Sequence, residues 1–307
     1  MSTSQILVAG LSPTWQRVMV FDRWELGAVN RARDVHECVS GKVINVAGAL
    51  AQLGQVASLL TVVGVEDREE FLADYQRGFG RAAATEALFI GAPGRTRTCT
   101  TVLDRSTGQV TELVEGARPI DAAGILAFRT EFGAIIQKKT VLVLTGSIPS
   151  GVPSDFFRLL VQSADRADLT CLLDLRGPEL LQFLPLRPRV VKPNREELQA
   201  TVGRSLITEA DVLAAMHELN GHGAEWVVVS NGPQTVLATH DSHDFRWTPP
   251  ARIVVNPIGS GDCLTAGIAA GLSLGCSMPD AIAQGIAAAA ENVTSLLPAR
   301  WRSPDET

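Results

Sequence analysis

Residues 255–272 have the sequence VNPIGSGDCLTAGIAAGL, a glycine-rich turn followed by small and aliphatic side chains. Gly259 and Gly261 allow the backbone to bend so that successive amide N–H groups point at one anion, and the helix predicted after them adds positive potential. Asp262 places a carboxylate at the mouth of this cradle, where a general base would accept the proton of a hydroxyl that attacks a phosphoryl group. The alternative is an ordinary helix start with Asp262 as its N-cap.

Length and composition indicate a globular protein that needs neither disulfides nor metal ions to fold. The chain has 307 residues, a net charge of -6 and five scattered cysteines without a CxxC pair. A chain of this length buries about three quarters of its unfolded surface, and scattered cysteines are typical of a reducing cytosol. The negative charge argues against nucleic acid as a partner. Because neither a signal peptide nor a run of about 18 apolar residues is recognisable, we expect a cytoplasmic protein without a membrane partner.

Short apolar runs alternate with helical patterns along the chain. The helical pattern is found at 44–53 and at 208–219, where Thr208 and Asp211 predict a capping box. The predicted strands are 5–10, 58–64, 141–145, 170–174, 190–192 and 226–230. Most are apolar throughout, as strands buried on both faces are. The alternation therefore predicts an α/β fold with a mostly parallel sheet covered by helices on both sides.

Polar and glycine residues follow several of the predicted strands. Ligands of such sheets bind at the carboxyl ends of the strands, so these residues are candidates for a site. They are Gly146, Ser147, Asp174, Lys192, Asn194, Asn231 and Gly232.

Three other segments alternate polar and apolar residues, as strands with one solvent-facing side do. They are 15–22, 96–103 and 108–114. We interpret them as a small accessory sheet, a lid formed by about 12–36 and 93–116. Such a lid would have one apolar face, which two copies of the chain would bury against each other. Because no internal repeat or linker is found, we expect one domain over 1–307.

Five stretches, in order along the chain, resemble the motifs of the ribokinase-like sugar kinases, the PfkB family. They are SGKVINVA at 40–47, GSIPSGVP at 146–153, VKPNREEL at 191–198, VSNGP at 229–233 and NPIGSGDCLTAG at 256–267. The third stretch and LGAVNR at 26–31 most resemble the branch that phosphorylates sugar phosphates, the 1-phosphofructokinases and tagatose-6-phosphate kinases. The resemblance implies a three-layer α/β/α fold with a small β lid, ATP and Mg²⁺ as cofactors, and a homodimer formed through the lid.

The resemblance assigns the chemical step to the glycine-rich turn. It implies that Asp262 is the catalytic base that deprotonates the acceptor hydroxyl. It also implies that the N–H groups of Gly259, Ser260 and Gly261 hold the charge that develops on the transferred phosphoryl group.

The nucleotide side of the site is assigned to two loops. Asn194 and Glu197 would hold Mg²⁺ and its waters, Glu197 through water, although Asn-x-x-Glu before a helix is also a capping box. Lys192 would reach the phosphates, the alternative being a lysine that covers surface. A loop over the adenine and ribose is implied for Ser230, Asn231 and Gly232, which would otherwise be a simple Asn-Gly turn.

The acceptor side is assigned to residues nearer the N-terminus. Gly41 would approach the sugar hydroxyls, and Lys42 and Asn45 would form hydrogen bonds with them. Arg97, in the lid, matches an arginine that contacts the substrate phosphate, for which its forked guanidinium is suited. A solvated arginine on an exposed strand is the alternative.

The chain departs from the family at the sugar end. Where the branch has Asn-Pro-x-x-Asp, with the aspartate accepting hydrogen bonds from sugar hydroxyls, residues 12–16 are SPTWQ and Gln16 is uncharged. Where the family has Gly-Gly-Lys-Gly, residues 40–43 are SGKV. We expect Trp15 and Val43 to narrow or reshape the pocket.

The expected activity is ATP-dependent phosphorylation of a small carbohydrate. The expected acceptor is a hexose phosphate such as fructose 1-phosphate, fructose 6-phosphate or tagatose 6-phosphate. Two alternatives remain open, a kinase of an unphosphorylated sugar or nucleoside, and a catalytically silent regulator that binds nucleotide or sugar.

Overall fold

A computed structural model describes residues 5–301 of the chain. The predicted domain over 1–307 also includes residues 1–4 and 302–307, which lie outside the described residues. Residues 1–4 also belong to the segment in which a signal peptide was sought. Two β-sheets and eight α-helices account for most of residues 5–301. None of the helices in this part of the chain is both long and apolar enough to span a membrane.

The strands differ in how far burial extends along them. In chain order they are β1 (Ile6–Ala9), β2 (Thr14–Phe21), β3 (Asp34–Ser40), β4 (Ser58–Gly64), β5 (Ala87–Ala92), β6 (Thr98–Asp104), β7 (Gln109–Val114), β8 (Val141–Thr145), β9 (Thr170–Asp174), β10 (Val190–Val191), β11 (Trp226–Val229), β12 (Val236–His240) and β13 (His243–Trp247). Strands β4 and β8 are buried at every residue, whereas β7 and β13 have no buried residue.

Nine of these strands form the central sheet, in the order β13-β12-β11-β10-β9-β8-β1-β4-β5. All neighbours from β11 to β5 are parallel, and β12 and β13 add an antiparallel hairpin at one edge. The predicted strands 58–64, 141–145 and 170–174 match the observed bounds, and the other three are one or two residues shorter than predicted. The edge strands β5 and β13, and β12 next to β13, were not predicted.

Helices cover both faces of this sheet. They are α1 (Lys42–Gln52), α2 (Arg68–Thr85, interrupted at Gly80), α3 (Ala122–Ile136), α4 (Phe156–Arg166), α5 (Arg195–Val202), α6 (Glu209–His222), α7 (Ser260–Ser273) and α8 (Met278–Asn292), with a 3-10 helix at Pro178–Leu186. Side chains of α1, α2, α7 and α8 form the core on one face. Those of α3 to α6 form the core on the other. The predicted three-layer α/β/α fold is confirmed.

The predicted helices at 44–53 and 208–219 are α1 and α6. The capping box predicted before α6 is present, since Thr208 accepts a hydrogen bond from the amide of Asp211 and the Asp211 side chain accepts one from the amide of Thr208. Helix α1 begins two residues earlier than predicted, directly after Gly41, which has a φ of 97°. A side chain at Gly41 would come within 3.0 Å of the backbone at Pro13 and Ser12, so glycine lets the two loops approach each other.

The other four strands form a second sheet in the order β3-β2-β6-β7. The predicted segments 15–22, 96–103 and 108–114 correspond to β2, β6 and β7. Strand β3 pairs antiparallel with β2 and continues to Ser40, beyond the predicted lid boundary at 36. Val18, Val20 and Leu103 form a small separate core under this sheet.

The second sheet is attached to the main body through Asp67, which is buried before α2. Trp15 Nε1 donates a hydrogen bond to Asp67 Oδ2 at 2.8 Å, and the amide and hydroxyl of Thr96 also donate to this carboxylate. The Trp15 ring packs edge-on against Phe71 at 5.2 Å between centroids. These contacts fix the orientation of β2 and β6 relative to the central sheet.

Neither face of the second sheet is uniformly apolar, so the expectation of an apolar face is wrong. Alternate residues of β2 point to opposite sides, and Gln16 faces the central sheet while Arg17 faces away. Arg17 forms an ion pair with Glu37 of β3 at 3.4 Å. Val35 and Leu113, on the same outer face by their register with β2 and β6, are about half exposed. The outer face therefore mixes charged and apolar side chains.

Candidate active site

A cavity of about 230 Å³ lies between the carboxyl ends of the central strands and the inner face of the second sheet. Loops after β1 and β8, the start of α1 and the turn before α7 form one side, and β2, β6 and β7 form the other. The predicted base and all five residues predicted to bind the acceptor line this cavity, namely Asp262, Gln16, Gly41, Lys42, Asn45 and Arg97. The tertiary structure thus brings together six residues predicted from four separate stretches.

Asp262 lies in the first turn of α7, where its side chain does not cap the helix. The N-cap is Gly259, which has a left-handed backbone with a φ of 84° and no side-chain cap, so the alternative with Asp262 as N-cap is wrong. Asn45 Nδ2 donates a hydrogen bond to Asp262 Oδ2 at 2.7 Å. Ser40 Oγ donates to Asn45 Oδ1 at 2.9 Å and thereby orients the Asn45 amide. The carboxylate is therefore held in one position.

The environment of Asp262 makes its carboxyl group a stronger base than an ordinary aspartate. Burial, together with the negative charge of Asp174, raises the pKa of Asp262 to about 6. The positive charges of Lys42 and Lys192 and the hydrogen bond from Asn45 act in the opposite direction. A carboxylate with this pKa is ionised at neutral pH and accepts a proton more readily than one with the usual value.

Asp174, at the end of β9, is the centre of a buried charge cluster. Its Oδ1 lies 3.0 Å from Lys42 Nζ and 3.5 Å from Lys192 Nζ, and Thr265 Oγ1 donates to its Oδ2 at 2.9 Å. Burial alone would raise the pKa of Asp174, but the two ammonium groups and these hydrogen bonds outweigh burial and hold it below the usual value. Asp174 therefore stays charged and keeps both lysines near the glycine-rich turn.

Lys42 faces two carboxylates as well as the cavity. Besides Asp174, its ammonium donates to Glu197 Oε1 at 2.9 Å. Burial opposes the charge on Lys42, but Asp174, Glu197 and Asp262 raise its pKa above the usual value. About 30% of its side chain remains exposed, so Lys42 bridges the acceptor cavity and the loop that begins α5.

Lys192 is almost completely buried, which excludes the alternative of a surface lysine. A β-carbon added at Gly261 would lie 3.8 Å from Lys192 Nζ, so the ammonium is next to the glycine-rich turn. The amide of Ser260 donates to Pro257 O at 3.2 Å and closes that turn. The amides of Gly259 and Gly261 donate to no backbone carbonyl within residues 5–301.

The turn itself is held by two buried asparagines that the sequence analysis did not single out. Asn256 Oδ1 accepts a hydrogen bond from the amide of Ile258 at 3.0 Å, and Asn292 Nδ2 donates to Ile258 O at 2.9 Å. Asn292 Oδ1 also accepts from the amide of Ala299 at 2.7 Å. The end of α8 and the chain after it thus keep the turn in place.

Asn194 and Glu197 form the capping box of α5, so the structural alternative for this pair is confirmed. Glu197 Oε2 accepts from the amide of Asn194 at 2.9 Å, while Oε1 accepts from Lys42. Each carboxylate oxygen keeps a further lone pair, which suits a hydrogen bond from a metal-bound water better than direct ligation. Within residues 5–301, no group of three or more His, Cys, Asp or Glu side chains is arranged to hold a metal ion.

Residues 230–232 follow β11 at the same edge of the sheet. The carbonyl of Ser230 accepts a hydrogen bond from the amide of Arg195 at 3.0 Å, which joins this loop to the start of α5. Asn231 Nδ2 donates to Gln234 Oε1 at 2.6 Å, and Gly232 has a φ of 54°. Residues 230–232 therefore form a turn next to Asn194. They lie on the side of the glycine-rich turn, Lys42 and Lys192, and not in the cavity.

Two arginines line the cavity. Arg97 was predicted from the sequence, and Arg176 was not. Arg97 donates to the carbonyls of Ser12 at 3.0 Å, Glu115 at 2.9 Å and Pro13 at 3.3 Å, so it is held in place rather than freely solvated. Arg176 lines the same cavity and has no hydrogen bond or ion pair with the side chains of residues 5–301. Burial lowers the pKa of Arg97, and the positive charge of Arg176 adds to this shift.

Arg176 was missed although a signal was present. It lies two residues after the end of β9, at the edge of the sheet where polar residues were expected to converge. Asp174 was predicted to lie at this edge, whereas Arg176 on the same loop was not.

The inner face of the second sheet contributes a polar chain to the cavity. Gln16 Nε2 donates to Thr101 Oγ1 at 2.7 Å and to Glu112 Oε1 at 3.4 Å. Thr101 Oγ1 in turn donates to Glu112 Oε1. Glu112 was missed because the alternation in β7 shows which residues share a face but not which face meets the cavity.

Trp15 and Val43 do not line the cavity, so the prediction that they reshape it is wrong. Both belong to the apolar core beneath it. Trp15 points away because it precedes Gln16 on the strand and therefore faces the other side of the second sheet. Val43 is buried in the first turn of α1.

The arrangement combines a buried carboxylate, two amides without a backbone acceptor among the described residues at a helix N-terminus, one buried lysine and one partly exposed lysine. Such a set of groups removes a proton from a hydroxyl beside a bound anion and stabilises the negative charge that forms. The two arginines provide a second place for an anion in the same cavity.

A family model described as pfkB family carbohydrate kinase matches residues 14–301. Among solved structures, phosphofructokinase-2 from Escherichia coli in complex with fructose-6-phosphate is 24% identical, with a TM-score of 0.83 over 99% of this chain and 97% of that chain. A possible 1-phosphofructokinase from Thermotoga maritima is 19% identical, with a TM-score of 0.85 over 98% and 97%. Ribokinase from Arabidopsis thaliana, complexed with ribose and ATP, is 18% identical, with a TM-score of 0.75 over 99% and 97%. At these identities the structural likeness establishes the fold.

Proposed function

Because the chain belongs to the pfkB family of carbohydrate kinases, we propose that it transfers a phosphoryl group from ATP to a hydroxyl group of a hexose phosphate. Family membership makes the protein an ATP-dependent carbohydrate kinase. The acceptors we propose are fructose 1-phosphate, fructose 6-phosphate and tagatose 6-phosphate. The roles given to individual side chains below are part of this proposal.

The observation that carries the proposal is that a single cavity contains Asp262 and two arginines without a carboxylate partner. Arg97 and Arg176 both line it, and neither forms an ion pair within residues 5–301. Two guanidinium groups without an ion-pair partner are suited to bind an anion placed between or beside them. A phosphate group on the acceptor would neutralise them through charge-assisted hydrogen bonds, which favours a hexose phosphate over a free sugar.

In the proposed reaction, Asp262 accepts the proton of the attacking hydroxyl while that oxygen bonds to the γ-phosphorus of ATP. The bond between this phosphorus and the oxygen that bridges to the β-phosphate breaks, and ADP leaves with the electron pair. Asn45 keeps the carboxylate oriented through the 2.7 Å hydrogen bond. The amides of Gly259 and Gly261 donate to the phosphoryl oxygens as their negative charge develops, and the amide of Ser260 maintains the turn. Groups fixed in advance in this way lower the barrier without reorganising during the reaction.

The nucleotide is proposed to bind on the other side of the glycine-rich turn. Lys192 would neutralise its phosphates, because its buried ammonium adjoins Gly261. The loop of Ser230, Asn231 and Gly232 would contact the adenosine. Asn194 and, through water, Glu197 would hold Mg²⁺, which supplies positive charge to the phosphates when bound.

We further propose that the second sheet acts as a lid on the acceptor. Its inner face contributes Gln16, Arg97 and Glu112 to the cavity wall. A wall made by a separate sheet excludes water from the reacting groups, which limits hydrolysis of the nucleotide.

A coupled ADP-release assay tests the proposed acceptor class. The purified protein is incubated with ATP, Mg²⁺ and, in turn, the three hexose phosphates, the corresponding free sugars and a set of nucleosides. We expect turnover on at least one hexose phosphate, with kcat/KM at least about tenfold above that of any free sugar, as the loss of a charge-assisted contact implies. Turnover confined to free sugars or nucleosides would overturn the proposal. Ligand-induced thermal shifts without any turnover would indicate a regulator instead.

A further inference from the structure

Two carboxylates line the acceptor cavity, and the function above uses only one of them. Asp262 lies on the side of the central sheet, and Glu112 reaches the cavity from β7 of the second sheet. Glu112 forms no ion pair within residues 5–301. A second negative charge in a cavity proposed to bind an anion requires a physical explanation.

The hydrogen bonds of Glu112 occupy only one side of its carboxylate. Thr101 Oγ1 and Gln16 Nε2 both donate to Oε1, whereas Oε2 has no donor among the described side chains. Gln16 and Thr101 are both buried, so together they fix the position of the carboxylate. The inner face of the sheet thus presents one oriented acceptor oxygen to the cavity.

Anchoring Gln16 and Thr101 would not by itself require a carboxylate. A glutamine at position 112 would offer the same carbonyl oxygen to Thr101, but it would carry no negative charge. Glu112 is an exposed residue of β7, and partial desolvation of its carboxylate raises its pKa, with the hydrogen bonds from Thr101 and Gln16 a partial offset. Because Glu112 lines the cavity and its donors reach only Oε1, the charged Oε2 is open to a hydrogen bond from a ligand.

We propose that Glu112 binds the acceptor, with Oε2 accepting a hydrogen bond from a sugar hydroxyl other than the one that is phosphorylated. This assignment rests on the proposed function and extends it to the recognition of the sugar. Hydrogen bonds to a charged acceptor are about twice as strong as neutral ones, so a carboxylate here binds a hydroxyl firmly.

The same carboxylate determines which way the acceptor enters. Glu112 repels a phosphate, whereas Arg97 and Arg176 attract one, and all three line the same cavity. The anionic end of the substrate therefore lies at the arginines and a hydroxyl-bearing part lies at Glu112. Glu112 is in this sense a specificity-determining residue.

Exchanging the two groups at positions 16 and 112 tests this assignment, because their side chains adjoin at 3.4 Å. The variants are Glu112→Gln, Gln16→Glu and the double variant Gln16→Glu/Glu112→Gln, which returns one carboxylate to nearly the same place. Glu37→Gln is the matched control, since Glu37 lies on the outer face of the same sheet. The acceptor is whichever compound the wild type phosphorylates best in the ADP-release assay.

For Glu112→Gln we expect kcat/KM for the acceptor to fall about 10- to 100-fold, the loss of one hydrogen bond to a charged group. The KM for ATP and the thermal unfolding midpoint should change little, which separates binding from a merely structural role. Gln16→Glu places two carboxylates together and should also lower kcat/KM. The kcat/KM of the double variant should recover to within about tenfold of the wild-type value. The kcat/KM of Glu37→Gln should equal that of the wild type.

Acceptor analogues lacking one hydroxyl identify the bonded group. One analogue should bind the wild type more weakly than the complete acceptor does. The same analogue should bind Glu112→Gln and the wild type equally, measured as its inhibition constant against the natural acceptor. Unchanged kcat/KM in Glu112→Gln would overturn the assignment, as would a double variant no better than the single ones. If the best acceptor is a free sugar, the hexose phosphate is excluded while the Glu112 test still applies. If fructose 6-phosphate, fructose 1-phosphate, tagatose 6-phosphate, free sugars and nucleosides all fail to bind, both proposals are overturned.

Discussion

At the scale of single residues, the properties of Asp262 follow from four neighbours in distant parts of the sequence. Burial and the negative charge of Asp174 raise its pKa, Lys42 and Lys192 lower it, and Asn45 fixes its orientation. The balance leaves a carboxylate with a pKa of about 6. Three predictions concern this residue and the arginines opposite it.

The first prediction is that Asp262→Asn abolishes most of the turnover. Without the base, kcat should fall at least about a hundredfold, while the dissociation constant for ATP should stay nearly the same. The measurements are steady-state ADP release and calorimetric titration with ATP. A variant that keeps more than about a tenth of the activity would show that Asp262 is not the base.

The second prediction concerns pH. The base must be ionised, so kcat/KM should fall as the pH drops through about 6. The stability contributed by Asp262 should change with pH in the opposite direction. A pKa raised in the folded state means that the folded protein binds this proton more tightly than the unfolded protein does. The favourable contribution is complete below about pH 4 and is lost as the pH rises through about 6.

Asp262→Asn should therefore be more stable than the wild type at pH 8, by about 1–3 kcal/mol in the free energy of unfolding. The difference should shrink as the pH falls towards about 4. Urea unfolding at both pH values provides the test, and equal stability at pH 8 would mean that burial does not raise this pKa.

The third prediction is that Arg176→Ala and Arg97→Ala each raise KM for a phosphorylated acceptor by about 10- to 100-fold, the loss of one charge-assisted contact. The KM for ATP should rise less than about threefold, since neither arginine is assigned to the nucleotide. Arg129→Ala is the control, because Arg129 is exposed on α3, which does not line the cavity. Equal effects on both substrates would exclude a contact with the acceptor phosphate.

At the scale of elements, the position of α7 depends on its close packing against α8. A β-carbon at Gly267 would come within 2.4 Å of Gly285 Cα, and one at Gly285 within 2.5 Å of Leu264 O. Small residues therefore allow the two helices to touch along their backbones. Because Asp262 is in the first turn of α7, this contact also places the base.

The fourth prediction follows from that packing. Gly267→Ala should destabilise the protein by about 1–3 kcal/mol or more, since the added methyl group forces the helices apart. Its kcat should fall as well, because the shift moves Asp262. Gly133→Ala is the matched control, since Gly133 lies in the interior of α3 with open space around its Cα. That control should stabilise the protein by about 0.4–1 kcal/mol, and the same response in both variants would argue against tight packing.

At the scale of the whole molecule, the acceptor cavity exists only where the two sheets meet. The outer face of the second sheet carries Val35 and Leu113, which are about half exposed, and the connection between β2 and β3 carries Leu26, which is 95% exposed. These apolar groups are where a second copy of the chain would be buried. We therefore propose a homodimer formed through the lid.

The fifth prediction tests this assembly. Light scattering at micromolar concentration should give twice the monomer mass for the wild type and the monomer mass for Val35→Lys/Leu113→Lys. The added lysines replace the apolar contacts of positions 35 and 113 and bring like charges of the two copies together, which costs on the order of several kcal/mol. Leu126→Lys, at an exposed apolar position of α3, should remain dimeric. A monomeric wild type, or a dimeric double variant, would exclude the lid as the interface.

The sequence by itself determined the fold class and the family. Buried parallel strands have uniformly apolar runs, capping boxes are set within four residues, and the turn at 259–262 contains its glycines and the proposed base in consecutive positions. Such local patterns are readable because the interactions that they reflect are themselves local. The predicted strands, the two helices and the gathering of six site residues around one cavity all derive from them.

Only the tertiary structure decided which charges meet. Lys42 and Asp174 are 132 residues apart, and Asn45 and Asp262 are 217 apart. The pKa of Asp262, the burial of Lys192 and the unpaired charges of Arg176 and Glu112 depend on distances through space and on which face of a strand meets the cavity. Periodicity fixes which side chains share a face of a strand. The packing of one sheet on the other fixes where that face points and therefore, as we propose, which acceptor binds.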